Sequence, residues 1–457
     1  MPRFEVHAHS DYSNERLLDC INRIPELINR AIELGLAGIA ITDHETTSGH
    51  PDANFYADEI KKNNPDFKVA LGNEIYLCDT RNLGQKYYHF ILIAKNARGQ
   101  RALRELSSRA WMNSFWDRGM ERVVTLKSDL EEIVNKYPSS LIATTACLGG
   151  ELSTAVTNMV NAEATFQADL RKQEHDHIVD FLQWCESLFH DDLYIECAPA
   201  ASRDQIRVNR KLIDISNAMN IKMVIGSDAH YLRKEDRYVH KAYLNSKDGE
   251  REVDSFYEYS YLQSDEEVYE NLEKSYTPDI VSWMMRNSLE IYDKIENYSL
   301  YHKQRIPEID VPHYAKENYI NDKYPVLQSL FASDDDVERY WVNACYSKLE
   351  ELGKLNDVYL SRLEEEATIK RTISGKLETN MFAYPVTLQH YIDLFWECGS
   401  IVGAGRGSSC SGLNHYLLGV TQLDPIEWDL PFWRYLNEER VELGSLLLIL
   451  PSCKKRV

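Results

Sequence analysis

The chain has 457 residues, with 51 Lys and Arg against 72 Asp and Glu and a formal net charge of −21. That length supports two or three domains with their own cores, and the acidic balance excludes a chain that grips phosphate backbone over its whole surface. No apolar run reaches the length of a membrane span and no signal-peptide pattern opens the chain; nine Cys without a Cys-x-x-Cys pair fit a reducing cytoplasm rather than a disulfide frame.

Phe4 to Ser10 reads as a strand, whose period of two puts His7 and His9 on one side as a ready pair of metal ligands. An amphipathic helix, Ile24 to Leu34, closes at Gly35 and leads to an apolar strand, Ala37 to Ile41, ending in Thr42-Asp43-His44. A helix over Asp52 to Lys62 precedes Lys68 to Gly72, which runs out into Asn73-Glu74. Tyr87 to Ala94 is a further strand with His89 at its polar start. Helical patterns at Gln100 to Trp111 and Leu126 to Lys136 lead to the strand Ser140 to Ala146, followed by Cys147. A long helical stretch from Glu163 to Leu188, a strand at Asp192 to Cys197 and a helix at Asp204 to Met219 precede the strand Lys222 to Gly226, which ends in Ser227-Asp228-Ala229-His230.

About seven short apolar strands alternating with helices or loops predict an α/β barrel or doubly wound parallel sheet. Ligand-type side chains recur at the C-terminal ends of these strands, the rim where the chemistry of parallel barrels sits. Such repeated N, O and S donors predict a metal site. Imidazole and thiolate suit Zn²⁺, while the carboxylates suit Mn²⁺ or Mg²⁺. Asp43, beside His44, is a candidate general base or a residue that orients the ligands. Weaker candidates are a loop histidine, His50, a substrate-contact carboxylate, Glu196, and the helix arginines Arg203 and Arg207.

Beyond residue 236 the pattern is helical and acidic, with Ser264 as an N-cap. Ile306 to Pro312 breaks it and places a domain boundary between roughly 285 and 315, taken here as domains 1–285 and 286–457. Helices are expected at Tyr324 to Ala332, Asp335 to Leu352 and Asp357 to Gly375. Ile401-Val402 reads as a strand that enters a Gly-rich turn, Gly403-Ala404-Gly405-Arg406-Gly407-Ser408-Ser409, and an apolar helix over Leu413 to Val420 leaves it. Glycines let backbone N–H groups approach phosphate, and a helix N-terminus with Arg406 adds positive potential.

His7-Ala8-His9-Ser10-Asp11-Tyr12-Ser13, Ile41-Thr42-Asp43-His44 and Ser227-Asp228-Ala229-His230-Tyr231 resemble the polymerase and histidinol phosphatase (PHP) domain, in particular the one that opens the alpha subunit of bacterial DNA polymerase III. The resemblance implies a distorted (β/α)7 barrel that holds up to three metal ions through His7, His9, Asp19, His44, Glu74, His89, Cys147, Asp228 and His230. It also implies metal-dependent phosphoester hydrolysis, as a 3′–5′ exonuclease on a DNA 3′ end. Gly403 to Ser409, with Asp424-Pro425-Ile426, Asp429-Leu430-Pro431-Phe432 and Arg434-Tyr435-Leu436-Asn437, resemble the start of that family's palm, a mainly helical, incomplete α+β segment. There Gly403, Gly405, Arg406, Gly407, Ser408 and Ser409 are expected to handle a deoxynucleotide triphosphate, Arg406 and Ser408 taking part in catalysis. Ala404 stands where the family usually has Pro. Ser445, Leu447 and Ile449 occupy the positions of the family's metal-binding aspartates, so polymerisation by this chain is in doubt and a truncated or frame-altered product is expected. Other replisome subunits are possible partners and the location is cytoplasmic. The alternatives are a free-standing phosphoesterase of the histidinol phosphatase type and a non-catalytic, metal-stabilised module.

Overall fold

A computed structural model describes residues 2–15, 18–117, 119–246, 255–302, 306–317 and 322–439. Contacts within the chain divide it into two compact units, 1–302 and 303–457. The division differs from the expected 285/286, because residue 285 lies inside one continuous helix, Pro278–Lys294. That helix buries Val281, Met284 and Met285 on one side of that point and Asn287, Ser288 and Ile291 on the other.

In the first unit seven strands follow in chain order along one sheet, β1 (Phe4–Ala8), β2 (Gly38–Ile41), β3 (Lys68–Cys78), β4 (Tyr88–Ala94), β5 (Leu141–Thr144), β6 (Leu193–Cys197) and β7 (Met223–Ile225), and an eighth short strand, Thr125–Leu126, pairs with β3 off this path. A parallel bridge from Ala8 to Ala229 brings the two ends of the sheet together. Glu5 reinforces that closure by accepting from the backbone N and hydroxyl of Ser227 at 2.9 and 2.6 Å. One face of the strands contributes Phe4, Val6, Ala40, Ala70, Ile91, Ile93, Ile142, Tyr194 and Val224 to a single buried cluster, the barrel interior. The other face packs on the crossover helices: Ile39 and Ile41 on Leu27 and Ile28, and Phe90, Leu92 and Ile195 on Leu103, Phe181 and Leu182.

The barrel departs from a purely parallel one at β4, which is antiparallel to both β3 and β5. β3 is also longer than expected: its parallel pairing with β2 stops at Leu71, but it continues to Cys78 against β4, so Glu74 sits within a strand rather than past its end. The pairing of β1 with β2 shifts register between Glu5 and Ala8. Phe4 and Val6 belong to the interior cluster and Ala8 to the outer one, so this irregularity switches the alternation and leaves His7 and His9 facing inward. The long helix expected over Glu163 to Leu188 is two helices, Glu151–Ala164 and Ala168–Phe189, parted at Phe166, whose φ is +58°.

The second unit is helical. Pro325–Phe331, Asp336–Glu351, Asp357–Leu377 and Ala383–Glu397 enclose Trp341, Val342, Cys345, Leu363, Ala367 and Phe382. Asp335 and Asn356 cap the second and third of these through their side-chain oxygens. No strand occurs among the described residues of this unit, so neither the Ile401 strand nor the sheet of an α+β palm is present there. Ser445, Leu447 and Ile449 lie outside the described residues.

Candidate metal centre

The nine expected ligands meet at one mouth of the barrel. β1 brings the Nε2 atoms of His7 and His9 to 3.0 Å from each other. Asp228 Oδ1 lies 3.2 Å from His7 Nε2 and 3.1 Å from His9 Nε2, and Glu74 reaches the same nitrogens at 3.4 Å through its two oxygens. Glu74 also stands 2.6 Å from His44 Nδ1 and 2.9 Å from His89 Nδ1. Asp19 Oδ2 lies 2.9 Å from His44 Nε2 and 3.2 Å from His230 Nε2, and Cys147 Sγ lies 3.6 Å from His89 Nδ1. His89 joins from the start of its strand because β4 runs the other way, which turns its N-terminal end toward the rim where the parallel strands finish. Backbone strain accumulates here: Glu45, Ala146 and Asp228, next to or among these residues, have φ of +51°, +58° and +48°.

Three overlapping triplets place one donor atom from each member within ion-binding distance: His9 with His44 and His230, His7 with His9 and Glu74, and Glu74 with His89 and Cys147. Both carboxylate oxygens of Glu74 and Nδ1 of His44 are buried without a hydrogen bond. Imidazoles alone face the Glu74 oxygens, His44 Nδ1 at 2.6 Å and His89 Nδ1 at 2.9 Å, and a cation coordinated among them would take the place of imidazole protons. Imidazole, carboxylate and thiol donors in these triplets fit divalent ions, with the softer Glu74–His89–Cys147 set suiting Zn²⁺.

Burial and neighbouring charge set the protonation of these groups. Burial, with His44 and His230 alongside, drives the His9 imidazole down to about 3 and keeps it a neutral donor. Burial also opposes charge on His44, but Glu74 and Asp19 outweigh it and lift that imidazole to about 10. Burial alone would raise Asp19, Glu74 and Asp228; the surrounding histidines overcome it and hold all three well below the usual carboxylate range. Burial, then Asp228 and Glu74, push the Cys147 thiol well up. The carboxylates are therefore ionised, and protons on His7 and His44 balance them where cations would otherwise do so.

An outer layer of side chains holds the candidate ligands in place. His7 Nδ1 donates to Glu196 Oε1 at 2.6 Å, and Glu196 Oε2 accepts from the Thr144 hydroxyl, so Nε2 of His7 is the nitrogen turned to the centre. Glu196, read from the sequence as a substrate contact, thus acts on His7. Asp43 accepts from Ser10 N at 2.6 Å, Ser10 Oγ at 2.8 Å and Ser13 Oγ at 2.7 Å, and Ser13 Oγ lies 3.2 Å from His9 Nδ1. Asp19 is further held by the Tyr257 hydroxyl at 2.7 Å, a contact no local pattern announces. His50 is not a solvated loop residue: it is buried and its Nε2 donates to Gly72 O at 2.8 Å. Arg207 reaches Asn161 Oδ1 and Val160 O rather than the rim.

Sequence comparison points the same way. Residues 5–200 match the PHP domain, and residues 339–445 match the bacterial DNA polymerase III alpha NTPase domain. The chain joins a PHP domain to a polymerase III alpha segment. It is 39% identical over 466 residues to the DNA-directed DNA polymerase of Bacillus phage SPbeta, covering 96% of this chain and 36% of that one. It is 27% identical to the DNA polymerase III subunit alpha of Aquifex aeolicus (96% and 35%) and 28% identical to that of Campylobacter jejuni (96% and 35%). The chain thus spans about a third of the length of the curated relatives it matches. The PHP match begins one residue after Phe4 and takes in β1 to β6, so all the ligands but Asp228 and His230 fall inside it.

The polymerase-type segment presents its Gly-rich loop differently from expectation. Gly405 (φ +143°) and Gly407 (φ +68°) need a glycine backbone, and a Cβ on Gly405 would come within 2.7 Å of Cys410 Sγ. Gly403 has no such need. Gly403, Gly405, Arg406 and Gly407 are exposed, and Ser408 and Ser409 half-buried within a 3₁₀ turn, Gly407–Ser411. The helix after it is only Leu413–Leu417, and its first N–H groups are already taken: Glu366 accepts from Leu413 N at 2.6 Å and Asn414 N at 3.0 Å. That helix end therefore adds nothing to phosphate binding.

Proposed function

We propose that the barrel hydrolyses phosphoesters with a cluster of divalent ions, acting as a 3′–5′ exonuclease on a DNA 3′ end, within a replicative polymerase of the III alpha type. The observation that carries this reading is Glu74, an ionised and fully buried carboxylate faced by four imidazoles and shared by two of the three donor triplets found among the described residues. His7, His9, Asp19, His44, Glu74, His89, Cys147, Asp228 and His230 would hold Zn²⁺, Mn²⁺ or Mg²⁺. Such ions, when bound, lower the pKa of a water and neutralise phosphoryl oxygens. The chain's own residues fix the ligands. Glu196 sets the tautomer of His7, Asp43 acts through Ser13 on His9, and Tyr257 restrains Asp19. Asp43 is assigned this orienting part rather than that of general base, since three short hydrogen bonds occupy its oxygens. His89, whose side chain is 27% exposed, is the most open ligand and marks the side from which an ester reaches the centre.

In the second unit we assign Arg406 and the backbone of Gly403 to Ser409, Ser408 among them, to the phosphates of a deoxynucleotide. The support is an exposed guanidinium beside two glycines with positive φ. The test is a chain stripped with EDTA and reloaded with Mn²⁺ or Zn²⁺, given 3′-labelled single-stranded DNA beside a small phosphomonoester. Nucleotide release lost in His9→Ala is the expected result. Turnover of the small ester alone would instead make the barrel a phosphatase, and turnover of neither would leave the ions a structural part.

A further inference from the structure

The flank of the barrel between the helices His50–Ile60 and Ala97–Met112 carries a groove of about 720 Å³. Arg98, Arg101 and Arg104 line it from the second helix, a spacing of three that sets them along one stripe. Among the described residues these guanidiniums form no ion pair, whereas Arg109 on the same helix is bound by Glu105 and Glu132 and Arg81 by Asp129. Two aromatic rings stand open in the same groove: Phe55 is 72% and Tyr301 77% exposed. Its two carboxylates are engaged by hydroxyls, Asp52 by Tyr12 at 2.5 Å and Asp58 by Ser299 at 3.5 Å. The groove reaches Thr47, in the loop that carries His44.

Unpaired cations are conspicuous on a chain of net charge −21, where carboxylates are the commoner neighbours. Arginines beside exposed aromatic rings form the pattern that holds a single strand: guanidiniums take the phosphates and ring faces take unstacked bases. A duplex offers the same phosphates but keeps its base faces stacked. We propose that this groove binds single-stranded DNA beside the loop that carries His44, with phosphates on Arg98, Arg101 and Arg104 and bases on Phe55 and Tyr301. The choice of DNA as the polymer rests on the function proposed above; the groove chemistry does not.

Fluorescence anisotropy of a labelled oligo(dT) strand with the whole chain, in EDTA and over a KCl series, tests the proposal without hydrolysis. Replacing the three residues together (Arg98→Gln, Arg101→Gln, Arg104→Gln) should flatten the slope of log K against log salt by about 2, since each single-strand phosphate contact contributes about 0.7. Phe55→Ala and Tyr301→Ala should each weaken binding roughly 5- to 150-fold while leaving that slope unchanged. A control with the same loss of charge elsewhere (Arg171→Gln, Lys172→Gln, Lys211→Gln) should keep the slope. An unchanged slope in the first triple, an equal fall in the control, or duplex binding as tight as single-strand binding overturns the proposal. All five replaced groove residues are exposed, and thermal melts verify that the variants stay folded. Because binding is read without metal, an inactive metal centre leaves this result standing, and failure here leaves the hydrolytic reading intact.

Discussion

Each unit buries a glutamate completely, and the two glutamates are treated in opposite ways. Glu74 in the barrel receives nothing from backbone N–H, amide or guanidinium groups and is surrounded by four imidazoles at 2.6 to 3.4 Å. Glu366 in the helical unit is saturated: two backbone N–H groups, the Asn414 amide at 2.5 Å and Arg362 Nε at 3.2 Å all reach it. A carboxylate whose lone pairs are filled by its own fold is part of the framework. One left open among ligand-type side chains is poised for a cation. Burial alone does not separate the two cases; the accounting of donors does.

Glu74→Gln should break the comparison most severely. Bound divalent ions, counted by elemental analysis, should fall, and phosphoester turnover should drop by more than the roughly 10–100-fold typical of an outer partner. Glu196→Ala should lower metal affinity within that 10–100-fold range. Gly226→Ala should reproduce the effect, because its Cβ would lie 2.3 Å from Glu196 Oε1. Normal metal affinity in Gly226→Ala would show that Glu196 is not what aims His7.

On the other side, Glu366→Ala strands the N–H groups of Leu413 and Asn414 and should cost about 3 kcal/mol in denaturant unfolding. It should leave the metal content untouched; a loss of metal there would erase the distinction between the two glutamates.

The smallest effect concerns Lys370, fully buried, its Nζ without a hydrogen bond. Burial drives its pKa down to about 8, Glu366 and Cys345 offsetting only part. Between about pH 8 and the ordinary lysine value of 10.5 the unfolded chain holds more protons than the folded one, so stability rises with pH across that window. Lys370→Met should therefore melt higher than the parent at neutral pH, with the advantage shrinking as pH approaches 10.5. His415, driven to about 3 by burial and Lys370, works in the acid range: stability falls as pH drops from 6.5 toward 3, and His415→Phe should remove that share of the loss.

Most of the proposed ligands were legible as donors because they stand where an apolar run turns polar, and a strand that ends at the rim of a barrel points its next side chains into the mouth. His7, His9, His44, Asp228 and His230 announce themselves that way. Glu74 and His89 were legible as donors but not in their setting, since nothing local says that β3 runs on past its parallel partner or that β4 reverses. The helix breaks at Phe166, an exposed residue with φ of +58°, and exposed Ile401 forms no strand, both against the local pattern. Glu196, Tyr257 and Glu366 were not legible in their roles, because their partners lie 189, 238 and 47 residues away.

What the sequence by itself determined is the inventory: seven apolar strands, the donors that follow them, and a Gly-rich turn whose glycines allow backbone that other residues resist. What only the tertiary structure decided is which polar atoms are satisfied and which are left open. The physical reason is that hydrogen-bond saturation depends on geometry between groups far apart in the chain. It gave Asp43 to two serines, Glu196 to His7 and the Leu413 helix end to Glu366, while leaving Glu74 facing its histidines.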